Sequence, residues 1–575
     1  MLAHQQQVIG SSSVLNLQVS LLFWVLIGGL SLLFSGCEGP MGRDTPWRDK
    51  PILEPLAPRR DSPTAGGAPI AAEQGQRSQT LRIQMDASPG SLNPLRNPSV
   101  WGQRVTRDTV FETLIHYRGP TGSSQNAAGN YESGLAKTWI VSPGGREIRF
   151  ALQEQATFHD GSSVTALDVQ FSLESAIYAR GGAKHHRRAL SDVSSVEIVG
   201  KHLVRVRLER ANGFVLRELA SVPILPEHYY RKRLDQRHGQ WIGSGPYKIA
   251  SETPKGIVLE RNPDYWGKAP AIARIHFVRH TDAALALREA KEGLIDIIAA
   301  LIPEHYPQQL RVPGVYENFS VVNLTPPVFS YLTLNTLVPP FDDVNVRRAL
   351  SLLIDRSALV ESAFGLARSV ATPVWPSGPG DGIAPDVLSL DLKEAARLLA
   401  VAGWVLEEGG GVRVRDGQRL MIRILATEKS SPTRDIVVAA LRKAGFVLDL
   451  RIGSPAVLLK RLNTREFNLA FLKWSGDSDR DLSQLFASKG KLNYGGFSDI
   501  GIDSQLSRIQ RAATPSERKS LTSELAIALQ QRMPVVALPS PYPYGIVHNR
   551  VQGLAVWNGW IRLRELSFAE PKGSQ

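Results

Sequence analysis

Glu147-Ile148-Arg149-Phe150-Ala151-Leu152, followed by Ala156-Thr157-Phe158-His159-Asp160-Gly161-Ser162-Ser163-Val164-Thr165-Ala166-Leu167-Asp168-Val169, sets a strand, a turn and a helix start in one short span. The first six residues alternate polar and apolar, the period of a half-buried strand. Phe158-His159-Asp160-Gly161 reads as a turn, because Gly161 takes positive φ without a Cβ clash and Asp160 can bond its own backbone. Thr165 with Asp168 three residues on has the spacing of a capping box, and Val164 to Leu173 continues as a helix. Working outward, Thr80 to Met85 is a second alternating strand, Ala87 to Pro94 is turn-rich, and Val105 to Leu114 is predicted helical. Downstream, short strands are predicted at Val196 to Val199, Leu203 to Leu208, Tyr247 to Ile249, Ile257 to Arg261 and Ile275 to Val278. Among and after them come helices at Ala283 to Glu292, Val344 to Ile354, Leu392 to Ala402, Ser431 to Ala444 and Ser516 to Gln531. Such mixing argues for an α/β or α+β body rather than a sandwich, and no internal repeat is visible.

The 575 residues contain one cysteine, Cys37, at the end of Leu33-Phe34-Ser35-Gly36-Cys37. Leu21 to Phe34 is an apolar run of about 14 residues, the length of a signal-peptide core rather than of a membrane span of roughly 20. Cleavage before Cys37 would leave an N-terminal cysteine for a lipid group, although Met1 to Ser20 holds no Lys or Arg where an export signal normally carries positive charge. Residues 1–36 are therefore expected to be a lipoprotein signal peptide. Residues 37–79, with Pro40, Pro46, Pro51, Pro55, Pro58, Pro63 and Pro69, are expected to form an extended tether. Without further cysteines, the exported body must be held by burial alone. A hydrophobic fraction of 43% with 21% charged residues describes an ordinary globular chain. The net charge of +13 is scattered, and its densest run, Lys184-His185-His186-Arg187-Arg188, lacks the interleaved aromatics of a nucleic-acid surface.

Catalytic signatures are missing from the sequence. It has no Gly-x-Ser-x-Gly elbow, no His-Glu-x-x-His and no Gly-x-x-x-x-Gly-Lys, and its one thiol is spoken for. His159 has no His, Cys or Glu at ligand spacing, so it reads as a turn residue. His276 and His280, four apart on a predicted strand, make two imidazoles without a third ligand. No catalytic residue, metal site or cofactor is expected.

The order of several short phrases resembles the solute-binding proteins of peptide-type ABC importers, the dipeptide and oligopeptide group. The phrases are Ser91-Leu92-Asn93-Pro94, Gly134-Leu135-Ala136-Lys137-Thr138-Trp139, the Ala156 to Val169 stretch, Gly243-Ser244-Gly245-Pro246-Tyr247 and Leu259-Glu260-Arg261-Asn262-Pro263-Asp264-Tyr265-Trp266. They continue in Gly293-Leu294-Ile295-Asp296-Ile297, Pro340-Phe341-Asp342-Asp343-Val344-Asn345-Val346-Arg347-Arg348-Ala349-Leu350 and Ala402-Gly403-Trp404, from about residue 80 to 540. Ser244 and Leu167 depart from the family's Thr and Glu, both within structural motifs. The resemblance implies an α/β, two-lobed periplasmic-binding-protein-like fold of type II with an extra subdomain inserted in the first lobe. It implies lobe I at 80–112, the inserted subdomain at 113–240, lobe I again at 241–325, lobe II at 326–538, and a return to lobe I at 539–575.

Function follows as an expectation of the same kind: a monomer, exported and lipid-anchored, that captures di- or oligopeptides between its lobes and delivers them to an ABC permease with its ATPase subunits. Nucleic acid is not an expected partner. In dipeptide-binding relatives a phrase similar to Trp474-Ser475-Gly476-Asp477 supplies an aspartate for the ligand's α-ammonium, which points to Asp477, with Trp474 as an aromatic wall or a core residue at a strand end. Arg434 falls near an arginine that such relatives present to the ligand carboxylate, and it reads equally as a solvated helix-start residue. Tyr331 lies on a strand that flanks the ligand in the family, or else in the core. Similar proteins take up oligosaccharides, opines or chelated nickel, and a membrane-tethered sensor is a further alternative.

Overall fold

The computed structural model describes residues 79–95, 99–118, 131–178, 184–235, 239–301, 309–324, 328–364, 389–427, 431–475, 480–512, 514–539, 544–557 and 559–570. Cys37, the apolar run before it and nearly all of the tether lie outside these residues. Among the described residues no helix is long and apolar enough to cross a membrane.

Local side-chain chemistry sets the first elements. β1 (Thr80–Met85) forms where the alternation predicts. α1 is shifted from the expected Val105 to Leu114 and runs Val100–Thr106. The Ser99 side chain accepts the Gly102 N–H and opens the helix early, while Asp108, at φ 58°, cannot continue it. β2 (Ala136–Val141) and β3 (Glu147–Leu152) lead into the turn, where Gly161 has φ 85° and Asp160 Oδ1 accepts the Ser162 N–H at 3.1 Å. One Asp168 oxygen then accepts the Thr165 N–H and hydroxyl at 2.8 and 2.7 Å, and the other accepts the Glu227 N–H at 2.8 Å, opening α2 (Ala166–Tyr178). Leu167 is 42% exposed, so its departure from the family residue leaves the core untouched. β4 (Val193–Gly200) and β5 (Leu203–Leu208) complete an antiparallel sheet in the order β2-β3-β5-β4, against which α2 packs.

His159 has a structural job. Its Nε2 lies 3.0 Å from the Gly245 carbonyl and its Nδ1 accepts the Gly243 N–H at 3.3 Å, a pair of bonds that the neutral ring satisfies. Burial pushes the imidazole down to about 4, against the pull of the Gly245 carbonyl. An unfolded histidine takes its proton below about 6.5, so between about 6.5 and 4 the unfolded state binds more protons and stability falls as pH drops. Denaturant titrations from pH 7 to 4.5 should show that slope, and His159→Gln should flatten it. The loop that His159 holds tolerates no side chain at Gly243, where a Cβ would lie 1.9 Å from the Val110 carbonyl oxygen. Gly243→Ala should therefore lose more than about 2 kcal/mol in the same assay.

The chain continues as β6 (Tyr247–Thr253), β7 (Gly256–Arg261), β8 (Arg274–Arg279), β9 (Ile297–Ile298) and β10 (Phe319–Val322). It then forms β11 (Val328–Leu334), β12 (Met421–Ala426), β13 (Val447–Ile452), β14 (Leu469–Ser475), β15 (Val535–Leu538) and β16 (Gly545–His548). Two large sheets result. The first is ordered β10-β16-β9-β1-β8-β7-β6 and shares one apolar core with the β2 to β5 subdomain. The second, β13-β12-β14-β11-β15, has a core on each face, one through Leu332 and Leu334 and the other through Phe329 and Tyr331. A bidentate pair ties the first sheet together: Arg550 Nε and Nη2 each donate to Asp296 at 2.7 Å, Arg82 N–H donates to the same carboxylate, and Arg550 also reaches the Thr80 carbonyl. His280 falls beyond the end of β8 and pairs with Glu289 at 2.7 Å, so it does not share a strand face with His276.

Strand direction sets how the sheets meet. β8 and β9 run parallel to β1, and β10 does so by being antiparallel to β16, itself antiparallel to β9. In the second sheet β13 and β14 run parallel to β12, and β11 runs antiparallel to both β14 and β15. The chain leaves the carboxyl end of β10 to start β11, and leaves the carboxyl end of β15 to start β16. Both crossings thus join the carboxyl edge of one sheet to the carboxyl edge of the other. This is the edge at which open α/β sheets bind ligands.

Candidate ligand-binding cleft

On the first lobe, Asp86 stands directly after β1 and is exposed. The Trp101 indole N–H, from α1, donates to Asp86 Oδ1 at 2.5 Å, and the Arg104 guanidinium lies 4.8 Å over the Trp101 ring. Arg104 Nη2 also donates to the Leu324 carbonyl at 2.7 Å, just where the chain begins to cross to the second lobe. Burial lowers the Arg104 pKa to about 10, partly offset by Asp86. An acid, an indole and a guanidinium are therefore locked together beside a crossing segment, a set able to orient a polar solute from one side. Sequence reading missed this set. Its signal was an acidic residue closing an alternating strand, with Trp101 and Arg104 three apart on the next helix.

On the second lobe, Trp474 is the penultimate residue of β14, opposite Phe329, half-buried against the cluster that includes Phe329 and Leu472. It is thus at once a core residue at a strand end and the side chain nearest that edge on its strand face. Asp477 lies outside the described residues. Just beyond it, Asp481 accepts the Ser483 N–H at 2.9 Å and the Gln510 amide at 3.0 Å. Arg434 sits in the first turn of α3 (Pro432–Lys443), the helix that follows the carboxyl end of β12, and β12 neighbours β14. Arg434 and Trp474 therefore share one sheet edge. Arg434 is not a solvated helix-start residue: it is 6% exposed, with Nε and Nη2 donating to Asp435 Oδ1 at 3.0 and 2.7 Å.

Tyr331 is the correction. Its ring stacks on Phe329 with centroids 5.0 Å apart, it is 5% exposed, and burial raises its phenol pKa. The cavity beside it, lined by Thr333, Phe486 and Phe497, measures about 10 Å³, room for no more than a water. Alternation along β11 turns residue 331 to the inner face, and that face is covered by helices. No group of three or more His, Cys, Asp or Glu able to hold a metal occurs among the described residues.

Comparison with known proteins agrees with this architecture. Residues 130–496 match the model of the bacterial extracellular solute-binding proteins, family 5, middle region, and the chain belongs to that family. A probable di/tripeptide-binding protein 5 of Pseudomonas aeruginosa is 24% identical over 523 residues, 85% of this chain and 95% of the relative. The nickel-binding periplasmic protein of Escherichia coli is 25% identical over 411 residues, 68% and 75% of the two chains. The crystal structure of NikA from Brucella suis with Fe(III)-EDTA superposes with a TM-score of 0.72 at 23% identity, covering 85% of this chain and all of that one. The chain is thus a family 5 solute-binding protein, a class that serves ABC importers and carries out no catalysis of its own.

Proposed function

We propose that this protein captures short peptides between its two lobes and delivers them to an ABC permease driven by ATPase subunits. The observation that carries this reading is the meeting of two carboxyl edges across two crossing segments, with Asp86, Trp101 and Arg104 at one edge and Trp474 and Arg434 at the other. In the proposal Asp477 pairs with the peptide α-ammonium and Trp474 forms an apolar wall. Arg434, already held in a fixed fork by Asp435, meets the carboxylate. The di/tripeptide-binding relative supports peptide cargo. A second reading, a metal chelate or another non-peptide solute in the same cleft, is favoured by the nickel-binding relative and by the Fe(III)-EDTA in the Brucella neighbour. The partition we propose is 1–36 signal, 37–79 tether, 80–112 and 241–325 with 539–575 for lobe I, 113–240 for the inserted subdomain and 326–538 for lobe II. Cys37 would carry the lipid that holds the exported protein at the membrane.

Native mass spectrometry of protein purified from its own cells, followed by release of bound solute, tests the cargo. Short peptides with free amino termini are expected, whereas a single sugar, opine or metal chelate would overturn peptide import and keep the fold. Metabolic labelling with an alkyne fatty acid tests the anchor: the natural chain should take up label and Cys37→Ser should not.

A further inference from the structure

We propose that Asn212-Gly213-Phe214, a loop of the inserted subdomain, is a latch that docks on lobe II and sets how readily the two lobes part. The inference rests on the two-lobe partition, and adds to it a contact remote in sequence from both crossing segments. Phe214 is 5% exposed, yet it belongs to no core of its own subdomain. Among the described residues it is the one member of its apolar cluster from outside residues 329–537, and that cluster includes side chains of α4 (Ile500–Arg511) and α5 (Pro515–Arg532). The Arg518 guanidinium lies 5.3 Å over its ring and donates to the Ala512 carbonyl at 3.5 Å.

The loop is built for this fit. The Asn212 side chain accepts the Phe214 N–H at 2.9 Å and donates to Asp192 at 2.9 Å, so the aromatic is presented by its own subdomain in a fixed direction. Gly213 donates its N–H to the Gln510 carbonyl at 2.7 Å. A Cβ on Gly213 would stand 2.6 Å from the Ala512 carbonyl oxygen and 3.0 Å from Arg518 Nη1, both across the contact, so only glycine allows this approach. Gln510 links the latch to the candidate site, because its side-chain amide bonds Asp481 and Ser483 at 3.0 and 3.1 Å, a few residues after Asp477 in sequence. A solute held by Asp477 and a latch that holds Gln510 would therefore act close together in sequence around Asp481, and each would favour the joined lobes.

The test uses the full chain with Cys37→Ser and two spin labels, at Ile140→Cys on β2 and Ile500→Cys on α4, positions 69% and 89% exposed. Distance distributions are recorded by double electron-electron resonance with no solute added. We expect one narrow population in the parent and a second, longer one in Phe214→Ala, with the longer-to-shorter ratio raised about tenfold or more. Gly213→Ala is the control for misfolding, because the three atoms nearest its added methyl all lie across the contact. It should show the same shift with an unchanged circular-dichroism spectrum. Distributions identical to the parent in both variants would sink the latch. The outcome does not depend on which solute the cleft takes, so a failed peptide assay and a failed latch are told apart.

Discussion

On the proposed peptide-binding reading, Asp477→Asn should leave thermal unfolding unchanged and weaken binding of peptides with a free α-amino group by at least about tenfold, while N-acetylated peptides should bind both forms alike. A micromolar complex corresponds to about 8 kcal/mol, and removing the charge opposite a desolvated ammonium typically costs 2 kcal/mol or more of that. The substitution keeps shape and one acceptor, so the loss reports charge. Titration calorimetry with a tripeptide and its acetylated form makes the comparison. Equal affinities in both proteins for the free-amine peptide would remove Asp477 from the site. Loss for both peptides alike would mean that the residue shapes its loop rather than pairs with an ammonium.

The second large effect lies in the lobe I sheet. Arg550→Ala should lower stability by about 3–5 kcal/mol, because it strands an Asp296 carboxylate that is 1% exposed. Three chain segments distant in sequence depend on this one pair: β1 through Arg82 N–H and the Thr80 carbonyl, the strand that begins at Ile297, and the C-terminal return through Arg550 itself. Asp296→Leu combined with Arg550→Met should lose much less than either half, since no buried charge is then left alone. Urea unfolding of the two single variants and the double variant closes the cycle. Additive losses would mean that the two residues stabilise the sheet separately.

Much of the architecture was legible in the chain. The two-residue alternation of Glu147 to Leu152 gave β3, and the capping chemistry of Thr165 with Asp168 gave the entry of α2, because such signals depend on neighbours within one turn. Ser431 and Pro432 likewise marked the start of α3. The expected helix at Val105 to Leu114 is displaced by one backbone fact: Asp108 is held at positive φ and pairs with His116, eight residues further on.

The sequence by itself determined the period, caps and turns of this protein, and hence the alternation of strands and helices that makes two α/β lobes. Which of the candidate side chains are buried was decided only in three dimensions. Tyr331 turned inward because helices cover that face of β11, and Arg434 became buried at the edge shared with Trp474. Arg104 found the Leu324 carbonyl 220 residues away, and Arg550 found Asp296 across 254. Such pairings are set by strand order and direction, which bring together residues that share no local pattern.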